Sequence, residues 1–276
     1  MSDERAISAH YRHGHLLQAI ESALDQLGKT PDSVTIADLA PVDEFHIGGR
    51  VATAHLLSPL GFGASDHLLD IGCGLGGAAR FVATEYGSRV SGIDLTEEYI
   101  ETGTALCAWL KLDDKVTLRR GSALSLPFDA RAFDGAYMLH VGMNIGDKPR
   151  LFAEIHRVLR PGAALAIYDI MRVNAGALAY PVPWAQDDAT SLLDTAEQYR
   201  RALAGAGFEV SAPCDRRDFA LEFFNKLREK AATSGPAPLG FHTLMKDSTA
   251  SKLKNMIDNI VNGYIAPIEI VAHKPE

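Results

Sequence analysis

Apolar residues recur along the first 28 positions of the chain at intervals of mostly three or four residues. The series runs through Ile7, Tyr11, Leu16, Leu17, Ile20, Leu24 and Leu27. This spacing puts apolar side chains on one face of a helix, and Gly28 and Pro31 end the pattern. The pattern predicts one amphipathic helix, the main part of a helical N-terminal cap over residues 1–60.

Between residues 61 and 276, short apolar runs bounded by turn residues predict seven strands, with helical patterns between most of them. The predicted strands are 67–69, 89–94, 116–120, 133–139, 163–170, 207–210 and 264–272. One segment, at about 172–189, lacks periodicity and is rich in proline and alanine, which predicts an ordered loop insertion. The length allows one large α/β domain or two small ones.

A glycine-rich stretch joins the first predicted strand to a helical pattern at 78–83. It reads Asp70-Ile71-Gly72-Cys73-Gly74-Leu75-Gly76-Gly77. Glycines at 72, 74 and 77 allow a sharp turn, close approach of a ligand to the backbone, and tight packing of the helix against the strand. The first amides of the helix stay free to bind a ligand. The stretch therefore predicts a site for a nucleoside cofactor.

The glycine pattern alone leaves two cofactor classes open. Gly72, Gly74 and Gly77 also satisfy the dinucleotide fingerprint G-x-G-x-x-G, so a nicotinamide-dependent oxidoreductase is an alternative. However, Asp70 precedes the first glycine, where its charge would repel a pyrophosphate but suit a cationic ligand. S-adenosylmethionine carries a sulfonium and an ammonium group, so the flanking residue favours this cofactor.

Three segments together resemble the class I S-adenosylmethionine-dependent methyltransferases. Residues 70–76 resemble the glycine-rich motif, 133–140 the fourth-strand motif, and 154–162 the helix and turn before the fifth strand. The resemblance covers about 66–170 in the family's order. It implies a Rossmann-like α/β fold over 61–276, with a seven-stranded, mostly parallel sheet, helices on both faces and an antiparallel last strand.

Some residues of the predicted cofactor site follow from their position in the sequence pattern, and others are implied by the family resemblance. Asp94 ends the second predicted strand beside the glycine turn, where its carboxylate can accept hydrogen bonds from both ribose hydroxyls. Gly48 and Gly49 resemble a turn that helps bind the methionine moiety in phosphoethanolamine and sarcosine/dimethylglycine methyltransferases. The resemblance also places Ser122 and Ala123 at the adenine. The predicted cofactor-binding residues are Gly48, Gly49, Asp70, Gly72, Cys73, Gly74, Asp94, Leu95, Ser122, Ala123, Leu139 and His140.

Three residues are candidates for a catalytic role. His140 follows the fourth predicted strand, where ligands bind in open parallel sheets, and acts either as a general base or as a wall of the cofactor pocket. Asn144, in the next loop, offers an oriented donor and acceptor. Tyr11 is either an aromatic lid over the methionine end of the cofactor, as in related enzymes, or a core tyrosine.

The composition limits which classes of binding partner are expected. The formal net charge of −8 and the pI near 5.7 give no general basic footprint for nucleic acid. Three well-separated cysteines without a C-x-x-C pair, and an N-terminus without a signal-peptide pattern, predict a cytoplasmic protein with reduced thiols. The most apolar stretch, 163–170, is too short for a membrane span, so a membrane partner is not expected.

A metal site is not expected either. His10, His13 and His15 are close in sequence, but on one helix their rings cannot all point the same way. No neighbouring cysteine or carboxylate completes a ligand set.

The sequence thus predicts a monomeric or homodimeric enzyme that transfers the methyl group of S-adenosylmethionine to nitrogen or oxygen of a small-molecule metabolite by in-line displacement. S-adenosylhomocysteine is the expected product. Three alternatives are a small-molecule C-methyltransferase, an NAD-dependent oxidoreductase, and a catalytically silent cofactor-binding regulatory protein.

Overall fold

The computed structural model describes residues 2–235 and 237–276, and these form one eight-stranded mixed sheet with helices on both faces. The strands are β1 (His67–Ile71), β2 (Arg89–Asp94), β3 (Val116–Arg120), β4 (Phe133–Leu139), β5 (Leu159–Arg172), β6 (Glu209–Val210), β7 (Cys214–Asp215) and β8 (Ile265–His273). Their order is β3-β2-β1-β4-β5-β8-β6, with β7 paired to β8 beside this path.

The pairing confirms the predicted α/β fold. Strands β1 to β5 are parallel, whereas β8 runs antiparallel to β5. The path has the seven strands that were predicted, and β7 is an additional short strand that the sequence pattern did not indicate. β5 begins at Leu159 instead of residue 163, because Leu159 already pairs with Phe133 of β4.

Eleven α-helices lie in the described part of the chain. They are α1 (Ser2–Tyr11), α2 (Leu16–Gln26), α3 (Ile36–Asp43), α4 (Gly49–Leu57), α5 (Gly77–Glu85), α6 (Glu97–Trp109), α7 (Lys148–Val158), α8 (Ala196–Gly205), α9 (Arg217–Ser234), α10 (Phe241–Met245) and α11 (Thr249–Val261). Four of them precede the sheet, and three are inserted between β7 and β8. None of the helices within residues 2–235 and 237–276 is long and apolar enough to cross a membrane.

The prediction of one helix over the first 28 residues is wrong, because the helical pattern breaks between α1 and α2. The carboxylate of Glu98 on α6 accepts the backbone N–H groups of His13, Gly14 and Leu16 at 2.7, 2.8 and 3.0 Å. Gly14 has a φ of +98°, which leaves the helical region. In a continuous helix these backbone N–H groups would bond to carbonyl groups of the same helix. Here they bond to a side chain 82 or more positions away.

Helices cover both faces of the sheet, so the central strands carry apolar residues on both faces. Leu69 and Ile71 of β1 pack with residues of α7 and α8, whereas Leu68 packs with residues of α4 and α5. Because β1, β2 and β4 are parallel, their carboxyl ends meet at one edge of the sheet. The turns at this edge build the candidate active site.

Candidate active site

The turn between β1 and α5 has the backbone conformation that its glycines permit. Gly72, Gly74 and Gly76 have φ values of +68°, +53° and +80°, in the left-handed region. A Cβ atom at Gly72 would collide with the side chain of Val141, which follows β4. The glycines therefore allow the turn to bend sharply and let the β4 loop come close to it.

A cavity of about 380 Å³ lies at the carboxyl edge of the sheet, next to this turn. It is lined by most of the residues predicted for the site: Tyr11, Asp70, Gly72, Cys73, Gly74, Asp94, Leu95, Ala123, Leu139, His140 and Asn144. Three other predicted residues, Gly48, Gly49 and Ser122, do not line it. The structure thus brings together side chains from α1, β1, β2 and β4.

Two carboxyl groups occupy the β1 and β2 side of the cavity. Asp94 Oδ2 accepts the N–H of Gly74 at 3.0 Å, and Oδ1 accepts the N–H of Thr96 at 2.8 Å. Burial raises the pKa of Asp94 and raises the pKa of Asp70 to about 8. A bound cation would favour the ionised form of both groups, so this side of the cavity suits a positively charged ligand.

The Gly48-Gly49 turn contacts α9 instead of the cavity. Gly48 has a φ of +90° and caps the N-terminus of α4. A Cβ atom there would collide with the ring of Phe219, so this glycine is required by packing. The two preceding residues, His46 and Ile47, do line the cavity.

Ser122 also has a partner within the protein. Its hydroxyl hydrogen-bonds the carboxylate of Glu4 on α1, and its oxygen accepts the N–H of Leu124 at 3.0 Å. The cavity is lined instead by Gly121, Ala123 and Leu124 of the same loop. Ser122 therefore holds α1 against the loop after β3.

His140 occupies the end of β4 in a strained backbone conformation. Its φ of +56° is unusual for a residue with a side chain and costs about 1–3 kcal/mol. Its ring lies 5.1 Å from the ring of Tyr168 and 6.0 Å from that of His46, measured between centroids. Its Nε2 atom is buried and has no hydrogen-bond partner among the described residues. Burial, followed by the nearby His46, lowers its pKa well below 6.5, so the imidazole is neutral at pH 7.

His46 is a cavity residue that the sequence reasoning did not assign. Its Nε2 atom lies 3.0 Å from both the carbonyl oxygen of Gly49 and Oγ1 of Thr53. Burial lowers its pKa to about 4, so it is also a neutral ring. The signal was its position two residues before the Gly-Gly turn.

Asp169 supports the loop that follows His140. Its carboxylate accepts the N–H of Val141 at 2.7 Å, the N–H of Gly142 at 3.0 Å and the hydroxyl of Tyr199 at 3.1 Å. Burial raises the pKa of Asp169 to about 7, and the Val141 amide opposes this shift. These bonds offset the strain at His140. The sequence signal that was missed is an aspartate inside the apolar run of β5.

Helix α1 closes over one side of the cavity. The hydroxyl of Tyr11 donates to Oδ1 of Asn144 at 3.2 Å, and Nε2 of His10 lies 2.9 Å from the carbonyl oxygen of Pro183. Pro183 and Trp184, in the predicted loop insertion, line the cavity. Helix α1 thus connects the β4 loop to the loop insertion.

We expect Tyr11→Phe to loosen α1 by removing its hydrogen bond to Asn144. One such bond contributes about 0.5–1.5 kcal/mol, which corresponds to an increase of about two- to tenfold in KM for the predicted cofactor, S-adenosylmethionine. Steady-state kinetics with hydrogen exchange over 2–11 measures both effects. Tyr86→Phe, away from the cavity, is the control. Unchanged exchange in Tyr11→Phe would show that the hydroxyl does not hold α1 closed.

The helices between β7 and β8 form the remaining side of the cavity, which was not predicted. Phe224 of α9, Phe241 and Leu244 of α10, and Leu253 and Met256 of α11 all line it. Helical patterns are visible in the sequence of α9 and α11, whereas the short α10 was not predicted. Their position over the carboxyl edge of the sheet was not predicted either.

Comparisons with known proteins identify the family. A family model described as a methyltransferase domain matches residues 69–167. The chain is 31% identical over 202 residues to the O-methyltransferase resE of Aspergillus sclerotiorum, covering 70% of this chain and 73% of that protein. The chain belongs to the class I S-adenosylmethionine-dependent methyltransferases. This excludes the oxidoreductase alternative.

Solved structures show the same fold in methyltransferases with different acceptors. Phosphoethanolamine N-methyltransferase 2 of Haemonchus contortus, in complex with phosphomonomethylethanolamine and S-adenosylhomocysteine, has a TM-score of 0.73 and 22% identity, covering 93% of this chain and 60% of that one. Geranyl diphosphate C-methyltransferase of Streptomyces coelicolor A3(2) has a TM-score of 0.65 and 25% identity, covering 81% and 78%. The matches to the first three curated relatives span 28%, 73% and 46% of those proteins.

S-adenosylmethionine is the cofactor of this methyltransferase, and the cavity fits it. The backbone of the glycine turn is accessible beside the cavity, since a Cβ atom at Gly74 would meet no neighbour within 4 Å. Asp94 and Asp70 add two carboxyl groups to the same side. Within the described residues, no group of three or more His, Cys, Asp or Glu side chains could hold a metal ion.

Proposed function

We propose that this methyltransferase acts on a hydroxyl oxygen of a small molecule and that His140 accepts the hydroxyl proton. The observation that carries the proposal is the neutral imidazole of His140 at the carboxyl end of β4, beside the cavity, with Nε2 unpaired among the described residues. A neutral imidazole can take a proton, and a strained conformation at such a position is typical of functional residues.

The chemistry requires little more than positioning and proton removal. When bound, S-adenosylmethionine supplies an electrophilic methyl group on a sulfonium. We propose that Asp94 binds the ribose hydroxyls and Asp70 the cationic end of the cofactor. Asn144 orients the acceptor hydroxyl, and the Met143 side chain excludes water. Holding two reactants in a productive orientation can contribute about 7–11 kcal/mol.

Oxygen is favoured over nitrogen because the residues supply a proton acceptor. A hydroxyl is a weak nucleophile until its proton is removed, and a histidine base accelerates such a step by about 10²–10⁴-fold. An amine reacts as its free base and would not use His140 in the transfer step. The curated relative that is 31% identical over 202 residues is named an O-methyltransferase, which supports the same choice.

We expect His140→Ala to lower kcat by about 10²–10⁴-fold, because the proton acceptor is lost. The affinity for S-adenosylhomocysteine should stay within about threefold of the parent value. Transfer of labelled methyl groups into an extract of the cells that make the protein measures the first effect, and calorimetry the second. His140→Gln, which keeps a polar side chain of similar length, serves as the matched variant and should be equally impaired.

The pH profile distinguishes a base from a wall residue. Protonated imidazole cannot accept a proton, so the rate should fall as the pH drops through the pKa of His140. Because that pKa is lowered, the fall should lie below pH 6.5. His140→Ala should lack this acidic limb. Equal turnover of the parent and the alanine variant at every pH would assign His140 to the cavity wall.

A further inference from the structure

We infer that the acceptor is an uncharged, predominantly apolar molecule bound beneath helices α9 to α11. The inference rests on the proposed function and adds the chemical class of the acceptor. It is carried by the distribution of apolar and charged groups around the cavity.

The part of the cavity lining that α9 to α11 contribute is apolar. Among the described residues, helices α9 to α11 contribute Phe224, Phe241, Leu244, Leu253 and Met256 to the lining. Phe224 and Met256 belong to one buried cluster, with exposed fractions of 7% and 4%. Three aliphatic or thioether side chains and two aromatic rings thus form this wall, and burial of an apolar acceptor against them would be favourable.

Residues of the loops after β4 and β5 continue this surface. Met143, Trp184 and Leu192 line the cavity there. The indole Nε1 of Trp184 donates to Oγ of Ser191 at 3.0 Å, so its polar atom is already paired within the loop. The ring is left to form an apolar contact surface.

The charged side chains that line the cavity are all acidic. They are Glu4, Asp43, Asp70, Asp94 and Asp147, and no lysine or arginine of the described chain joins them. An anionic acceptor would find no cation to pair with and would be repelled by these carboxylates. Desolvating a charge without a partner is unfavourable, so phosphates and carboxylates do not fit.

The carboxylates of the lining have partners within the chain or lie on the proposed cofactor side, so a cationic acceptor would have to compete for them. Asp43 pairs with Arg80 at 2.6 Å, and Asp147 accepts the N–H of Arg150 at 2.9 Å. Glu4 hydrogen-bonds Ser122. Asp70 and Asp94 lie on the cofactor side. An uncharged acceptor therefore matches the remaining surface.

Two nearby lysines do not alter this conclusion. Nζ of Lys148 donates to the carbonyl oxygens of Ile145 and Leu192 and lies 3.2 Å from Asp194. Lys252 of α11 lies outside the cavity lining, and burial lowers its pKa. Neither ammonium group is presented to the acceptor.

The test uses the full-length enzyme, labelled S-adenosylmethionine and a cell extract separated into three fractions. One fraction holds neutral compounds extractable into organic solvent at pH 7, and the others hold aqueous anions and aqueous cations. We expect the labelled product in the neutral fraction. Labelling confined to the anionic or cationic fraction would overturn the inference and leave the proposed methyl transfer intact. A lack of label in every fraction, with S-adenosylhomocysteine still bound in calorimetry, would overturn the proposed function and this inference with it.

Charge variants test the location of the acceptor site. Leu253→Lys places a cation in the apolar wall and should lower transfer to the neutral fraction by about tenfold or more. Affinity for S-adenosylhomocysteine should remain within about threefold. Leu227→Lys, on the exposed side of α9, is the matched control and should leave transfer unchanged. Lys252→Met should also leave it unchanged, and a tenfold loss there would show that a cation binds the acceptor and overturn the inference.

Discussion

Replacing Arg80 with methionine is expected to lower the free energy of unfolding by about 3–5 kcal/mol, because it leaves a buried carboxylate without its partner. The side chains of Arg80 and Asp43 are 0% and 1% exposed, and their Nη2 and Oδ2 atoms lie 2.6 Å apart. Nη1 of Arg80 also donates to the carbonyl oxygen of Leu75 at 2.8 Å. The substitution should therefore loosen the glycine turn as well. Urea unfolding followed by circular dichroism measures the loss.

Two variants show whether burial is the cause. Arg120→Met removes a pair with Glu97 in which the side chains are 60% and 66% exposed, and it should cost no more than about 1 kcal/mol. Replacing Arg80 with methionine and Asp43 with leucine together should recover much of the lost stability, because no unpaired charge remains. Equal losses for Arg80→Met and Arg120→Met would contradict this account.

Substitution of Asp94 with alanine is expected to weaken S-adenosylhomocysteine binding by about 100-fold or more. We propose that the carboxylate accepts two ribose hydrogen bonds, and a hydrogen bond to a charged group contributes about 1.5–3 kcal/mol. The same carboxylate holds the Gly74 and Thr96 amides, so the turn itself should also relax. Isothermal titration calorimetry gives the affinity.

A modified ligand separates the two effects of this substitution. The 2′-deoxy analogue of S-adenosylhomocysteine lacks one ribose hydroxyl and should bind the parent enzyme about tenfold or more weakly than the natural ligand. Asp94→Ala should bind both ligands almost equally. If the alanine variant still favours the natural ligand as strongly as the parent enzyme does, Asp94 does not bind that hydroxyl.

The central strands and the glycine turn were predictable because their signals are local. Short apolar runs indicate strands within a single segment, and the positive φ values at Gly72 and Gly74 favour glycine whatever surrounds them. The placement of Asp94 and His140 followed directly, since each ends a parallel strand at the same edge of the sheet. Family resemblance added the antiparallel last strand, which local pattern does not indicate.

The surroundings of these residues depended on contacts between distant parts of the chain. Ser122 bonds Glu4, Gly48 packs on Phe219, and Glu98 interrupts the first helix. Each partner is more than 80 positions away, so no periodicity within a segment could indicate these contacts. The same holds for Asp169, whose carboxylate could be recognised as a support only when the β4 loop was seen against it.

The amino-acid sequence by itself determined the strand–turn–helix unit, the carboxyl groups beside it and, through its motifs, the methyltransferase family. Only the tertiary structure decided which side chains enclose the acceptor, because α9 to α11 reach the cavity by packing across the edge of the sheet. Backbone conformation and amphipathic periodicity are properties of neighbouring residues. A cavity wall is a property of residues that become neighbours only when the chain has folded.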